Sequence, residues 1–92
     1  MVTIEFTPKA EEHVKQLELD VQKRLQKKFR EIQENTSDLG VDPERYIKRL
    51  QGYNYHSLRV GDYRAIIKWK KQQKVFVVIA VGHRKTVYDR EL

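Results

Sequence analysis

Leu58-Arg59-Val60-Gly61-Asp62-Tyr63-Arg64-Ala65-Ile66-Ile67-Lys68-Trp69-Lys70 is the stretch whose reading decides the fold. Gly61-Asp62 has the form of a two-residue hairpin loop with glycine leading, and the flanking runs Tyr55 to Val60 and Tyr63 to Lys70 carry strand signals. So short a loop sets the register: residue 60 faces 63, and therefore 59 faces 64, 58 faces 65 and 57 faces 66. Because side chains alternate along a strand, Leu58, Val60, Tyr63, Ala65, Ile67 and Trp69 share one face, suited to receive helices. Ser57, Arg59, Arg64, Ile66 and Lys68 share the other. That second face sets Arg59 directly across from Arg64, which is repulsive in isolation. Two answers are open: a phosphate bridging the guanidinium groups, or a nearby carboxylate such as Asp62 or Asp89.

Working outward, Lys70 to Gln73 is a polar turn, and Lys74 to Gly82 is apolar on both faces, as a strand covered on both sides would be. If Trp69 faces Val75, residue 64 faces 80, and Arg84 joins the arginine face one step beyond Gly82 to make a cluster of three. Toward the N-terminus, Val2, Ile4 and Phe6 alternate with polar residues as a half-buried strand. Thr7 is an N-cap and Pro8 suits the first helical position of a helix whose stripe is Ala10, Val14 and Leu17. Asp20 is expected to cap a second helix carrying Val21, Leu25, Phe29 and Ile32. Asn35 to Pro43 reads as a surface loop. The expectation is an α+β fold in the order β-α-α-β-β-β, an N-terminal αα-hairpin packed on a largely antiparallel four-stranded sheet, with residues 1–92 as one domain.

Composition narrows the function. Zero Cys excludes disulfides, thiol catalysis and Cys-ligated zinc, and is consistent with a reducing cytosol. The longest apolar run, Val75 to Val81, is far short of a membrane span, and no secretory leader pattern opens the chain, so a cytoplasmic protein is expected. Residues 1–44 hold seven Lys/Arg against ten Asp/Glu, net −3; residues 45–92 hold twelve against three, net +9. A basic half of this kind points to a polyanionic partner, nucleic acid or an acidic protein.

The candidate chemistry gathers near the arginines. His83-Arg84-Lys85 ends the last strand and Tyr88 follows; imidazole is a competent proton acceptor near neutral pH, and a phenol is a general acid or a stacking group. His83 has the alternative of a core-facing, hydrogen-bonded side chain, and Tyr88 that of a C-terminal anchor. Of Tyr46, Tyr53 and Tyr55, one, Tyr55, is assigned to nucleic acid and the others to packing. Lys48 and Arg49 form a basic rim, to which Lys68 and Lys85 add charge. His13 and His56 lack metal-ligand spacing to His83, so neither a metal nor another cofactor is indicated.

These motifs together resemble the RelE/ParE superfamily of toxins from toxin-antitoxin modules, and its RelE branch more closely. Leu50-Gln51-Gly52 with Leu58-Arg59-Val60-Gly61-Asp62-Tyr63-Arg64 is similar to the family's central hairpin motif, and Val81-Gly82-His83-Arg84 with Tyr88 to its C-terminal motif. The resemblance implies a RelE-like fold and a ribosome-dependent endonuclease that cleaves mRNA without metal, by attack of the ribose 2′-hydroxyl on the adjacent phosphate. By the same resemblance Arg64 and Arg84 stabilise the transition-state phosphate, and Tyr88 is the C-terminal tyrosine. Ribonuclease members carry lysines on the strand entering the hairpin, where this chain has Tyr55 and Ser57, which leaves His83 or Lys48 for the proton acceptor. The implied partners are an acidic antitoxin, the ribosome and mRNA. The ParE branch, which inhibits DNA gyrase, and a non-catalytic basic binding module are the alternatives.

Overall fold

Gly61, at φ 59°, closes the hairpin between β3 (His56–Val60) and β4 (Tyr63–Lys70), and Asp62 follows without a positive φ, the pattern of a type II′ turn that leads with glycine. The register is the expected one, with Val60 opposite Tyr63, Arg59 opposite Arg64 and Leu58 opposite Ala65. The computed structural model describes residues 1–89. The other elements are β1 (Thr3–Phe6), α1 (Pro8–Lys15), α2 (Leu19–Asp38), β2 (Lys48–Arg49), β5 (Val75–His83), and 3₁₀ turns at Pro43–Tyr46 and Val87–Asp89. The fold is α+β, two helices on a mixed sheet in the order β1-β5-β4-β3-β2, with β1 parallel to β5 and the remaining pairs antiparallel.

The sheet has five strands where four were expected. The addition is β2, two residues long, pairing Lys48 with Ser57 and Arg49 with His56. So short a strand carries no alternation of its own, and only its partner makes it a strand. The last strand also departs from the expected register. Lys70, not Trp69, pairs with Val75, which moves the register by one residue, and a bulge between Ile66 and Ile67 moves it by one more, so Arg64 lies opposite Gly82, not Ala80, and Tyr63 lies opposite His83. The loop-end shift brings Arg84 beside Asp62, whose carbonyl accepts the Arg84 backbone N–H at 2.7 Å.

The helices follow their patterns with corrections at their ends. Thr7 caps α1, its hydroxyl accepting from the Ala10 N–H at 3.1 Å, and Pro8 occupies the first turn. Helix α2 begins after Glu18, so Asp20 lies inside its first turn and pairs with Arg24 at 3.4 Å. The helix continues through Asn35-Thr36-Ser37-Asp38, which the sequence marks as loop. The cause is Thr36: its buried hydroxyl donates to the Ile32 carbonyl at 2.8 Å and accepts from the Val2 N–H at 3.1 Å, tying the helix end to the start of β1.

The main core lies between helices and sheet, where Val21, Leu25, Phe29 and Ile32 meet Leu58, Ala65, Ile67, Phe76, Val78 and Val81. Val60, Tyr63 and Trp69 pack at its margin, as their shared face requires. A second, smaller cluster occupies the other face: Ile66, Ala80 and Val87 are buried there, with Leu50, Tyr55 and Ile79 against them. β1 stops at Phe6 while β5 runs on to His83, and α1 covers the extra length. Buried His13 takes up one of the exposed donors, its Nδ1 accepting from the Val81 N–H at 3.2 Å.

Candidate nucleic-acid interface

The face opposite the helices carries the arginines, and Lys48 and Tyr88, far apart in the chain, converge on it. Arg59 and Arg64, on adjacent strands, line a recess of about 640 Å³ together with Lys48 and Arg49 of β2, Ser57 of β3 and Tyr88 of the last 3₁₀ turn. Tyr88 reaches it because its neighbour Val87 is fully buried on Ile66 and Ala80, which pins the turn to the sheet while the phenol stays partly exposed. Arg64 is oriented by its own turn, donating from Nη1 to the carbonyls of Gly61 and Tyr63 at 3.1 and 3.0 Å. Among the described residues no carboxylate pairs with Arg59 or Arg64. Asp62 goes to Arg84, at 3.7 Å between its carboxylate and Nε. Of the carboxylates considered for the arginine pair, Asp62 lies beside a third arginine and Asp89 pairs with neither Arg59 nor Arg64, so the recess is left cationic.

The recess thus assembles Lys48, Arg49, Arg59, Arg64 and Tyr88, and the remaining expected site residues lie outside its lining. Arg84 stands beside the hairpin loop in its pair with Asp62, so three arginines share this end of the sheet without forming one bare cluster. His83 lies apart from the recess. Two residues beyond buried Val81 in the strand, it projects to the helix side, where its ring meets Tyr63 edge to face at 5.5 Å between centroids. Its Nδ1 is occupied by the Lys85 N–H at 3.2 Å. The sheet separates that imidazole from the arginine face, which is the core-facing alternative already attached to this residue. Tyr55 is half-buried against the Ile66 cluster, and Lys68 and Lys85 are exposed elsewhere.

Charge in the structure does not divide as it does along the chain. Helix α2 belongs to the acidic half, yet its Arg24, Lys27 and Lys28, with Glu31 among them, line a recess with Arg59 and Gly61 at the hairpin tip, and Lys28 sits 5.7 Å from the Tyr46 ring centroid. The helical spacing of residues 24, 27 and 28 puts them on one face, and that spacing was the available signal for a basic stripe. His56 has its pKa lowered from 6.5 by burial first and then by Arg49 across the β2–β3 pair, with Glu44 pulling the other way. Among the described residues no group of three His, Asp or Glu is placed to hold a metal ion, and no helix is long and apolar enough to cross a membrane.

The sequence profile of the family described as "ParE toxin of type II toxin-antitoxin system, parDE" matches residues 4–88. This chain belongs to the RelE/ParE toxin family. Solved structures agree on the RelE/ParE fold. The RelB–RelE antitoxin–toxin complex of Methanococcus jannaschii superposes with a TM-score of 0.68 at 30% identity, covering 96% of this chain and 99% of that one. The RelBE2 complex of Mycobacterium tuberculosis gives 0.66 at 24% identity, over 90% and 98%. The intact RelBE complex of E. coli gives 0.63 at 23%, over 90% and 96%, and these last two bear on the fold alone. Against curated protein sequences the chain has no match. As a RelE/ParE toxin, it is the toxin of a type II toxin-antitoxin module.

Proposed function

We propose that this RelE/ParE toxin is an endoribonuclease that cleaves mRNA on the ribosome and so stops translation, with residues 1–92 acting as one toxin domain. The observation that carries it is the Arg59–Arg64 pair: two guanidinium groups face each other at the edge of an open recess without a carboxylate among the described residues. A phosphodiester supplies the missing charge. Attack of a ribose 2′-hydroxyl on the adjacent phosphorus adds charge to the equatorial oxygens, and preorganised cations are the means of stabilising it. Arg59 and Arg64 bind that phosphate, and Arg84, held by Asp62, lends charge from the loop. Proton transfer falls to the side chains in the recess. The Lys48 ammonium donates to the leaving 5′-oxygen, and the Tyr88 phenol oxygen takes the 2′-hydroxyl proton as it passes its own proton to solvent water in the open recess, a role in which it replaces His83. No step uses a metal or an organic cofactor. Arg49 completes the rim that tracks the RNA backbone, and Lys68 and Lys85 add long-range attraction.

The inhibitor of this activity is an acidic antitoxin segment that neutralises the recess, in keeping with antitoxin partners in the M. jannaschii complex. The ParE name of the matching family favours a second reading, inhibition of DNA gyrase without catalysis by the toxin. Induction in a host labelled with amino acids and thymidine, followed by primer extension on its messages, decides between them. Prompt loss of protein synthesis with new 5′ ends inside coding regions supports the nuclease. Intact messages with arrested DNA synthesis refute it and support the gyrase reading. Absence of both effects leaves a binding module.

A further inference from the structure

Beside the arginine recess lies a second one, of about 530 Å³, built by the loop from Arg49 to Asn54. The two share Arg49, Leu50 and Gln51, so they adjoin along that edge. The loop is anchored at its base and open at its tip. The Leu50 N–H donates to the Tyr55 carbonyl at 2.9 Å, the Tyr53 N–H to the Leu50 carbonyl at 3.3 Å, and the Leu50 and Tyr55 side chains pack on the Ile66 cluster. Gly52 takes the left-handed turn, φ 83°, that lets the tip double back. Gln51, Tyr53 and Asn54 are then all exposed, Tyr53 by 47%, and among the described residues their side chains make no hydrogen bond or ring contact.

Apart from Tyr88, which stands in the arginine recess, the other tyrosine rings have work within the fold. Tyr46 accepts from Asn35 and lies under Lys28, Tyr55 packs, and Tyr63 meets His83. Tyr53 has a bare π-face, and it is flanked by two carboxamides, each a donor and an acceptor on a short arm. A flat hydrophobic plate, paired donor–acceptor groups and an adjoining guanidinium are the components that recognise an unpaired nucleobase: the ring stacks it, the amides read its edge, and the cation holds its phosphate. The carboxylates of an acidic peptide would use Arg49 but are no stacking partner for Tyr53.

We infer that the Arg49–Asn54 loop is a nucleobase pocket, in which Tyr53 stacks an unpaired base next to the phosphate held by Arg59 and Arg64, and Gln51 and Asn54 discriminate among bases. The inference rests on the proposed RNA reading of the arginine recess, and it makes this loop the determinant of where a message is cut. The test uses the full-length chain and single-stranded RNA heptamers, with 2-aminopurine placed at each position in turn and affinity read by fluorescence anisotropy. One position should be quenched on binding. Tyr53→Ala should abolish that quench and weaken binding about 5- to 100-fold, the range of one aromatic–base stack, whereas Tyr53→Phe should preserve both. Removing the base at that position should weaken binding to the parent protein equally and leave Tyr53→Ala no further loss. Gln51→Ala and Asn54→Ala should narrow the spread of affinities among the four bases there. Undiminished binding by Tyr53→Ala, or an equal loss on intact and abasic RNA, overturns the pocket. Arg59→Ala and Arg64→Ala report on the other recess: if they bind RNA as the parent does while the Tyr53 quench persists, the proposed function fails and the pocket stands.

Discussion

Replacing Arg59 by alanine should make the protein more stable while weakening its hold on RNA. Arg59 and Arg64 are a directly opposed pair on one face of the hairpin, one position in from the closing pair Val60–Tyr63. Opposed like charges on a sheet destabilise by about 0.2–1 kcal/mol. Coulomb's law agrees: two unit charges about 7 Å apart in water repel by about 0.6 kcal/mol. The recess on the other side of Arg59 holds Lys27 and Lys28, Arg24 paired with Asp20, and the carboxylate of Glu31, so the charge there is mixed and the repulsion is that of Arg64. Arg59 is exposed and has no ion pair among the described residues, so little is lost with it. For a domain of this size a gain of that order raises the melting temperature by about 1–8 °C at low ionic strength. Arg64→Ala removes the same repulsion but also the two hydrogen bonds to the Gly61 and Tyr63 carbonyls, so its melting temperature should stay near that of the parent. The double variant completes a cycle whose coupling is repulsive. Salt near 1 M, with a screening length of about 3 Å, should shrink the Arg59→Ala gain. Thermal melts of the four proteins at low and high salt measure all of this. A lower melting temperature for Arg59→Ala, or a gain indifferent to salt, would falsify the claim that an unneutralised charge pair sits at this site.

Thr36→Val should cost about 1–3 kcal/mol, because it leaves the buried Val2 N–H without its acceptor, whereas Thr36→Ser should recover most of the loss in denaturant titrations; equal stability of both variants would refute the tether. Val87→Ala should reduce RNA cleavage more than it lowers the melting temperature, since it frees the turn that delivers Tyr88 to the recess; activity falling only in step with stability would show that Val87 does no positioning. His56, held below its usual pKa of 6.5 by burial and Arg49, favours the neutral ring in the folded state, so the unfolded chain takes up its proton first. Stability should therefore be level with respect to this group above pH 6.5 and decline as pH falls through 6.5 toward the lowered folded value. His56→Phe should flatten that limb, and an unaltered acid limb in the variant would rule the group out.

Much of this protein was legible where information is local. The Gly61-Asp62 loop determined the hairpin register, and with it the opposition of Arg59 and Arg64 and the apolar face running from Leu58 to Trp69, because a two-residue turn leaves one pairing and side chains alternate along strands. The stripe Val21, Leu25, Phe29 and Ile32 likewise announced the buried face of α2. What escaped were pairings made across distance. The turn, which pairs Lys70 with Val75, and the bulge at Ile66 each shifted the register by one residue, moving Arg64 from Ala80 to Gly82 and bringing Arg84 to Asp62, since strand pairing through a longer turn is set by packing on both faces and not by the loop. Lys48 and Arg49 became a strand only by lying beside β3, and Asn35 to Asp38 stayed helical only because Thr36 found Val2. The identity of the side chains around the phosphate is of the same kind. A chain lists its arginines, histidines and tyrosines, but which of them share a face depends on where strands end and turns fold back. Buried Val87 is what sets Tyr88 among the arginines, and one residue of strand parity is what sends His83 to the other side of the sheet.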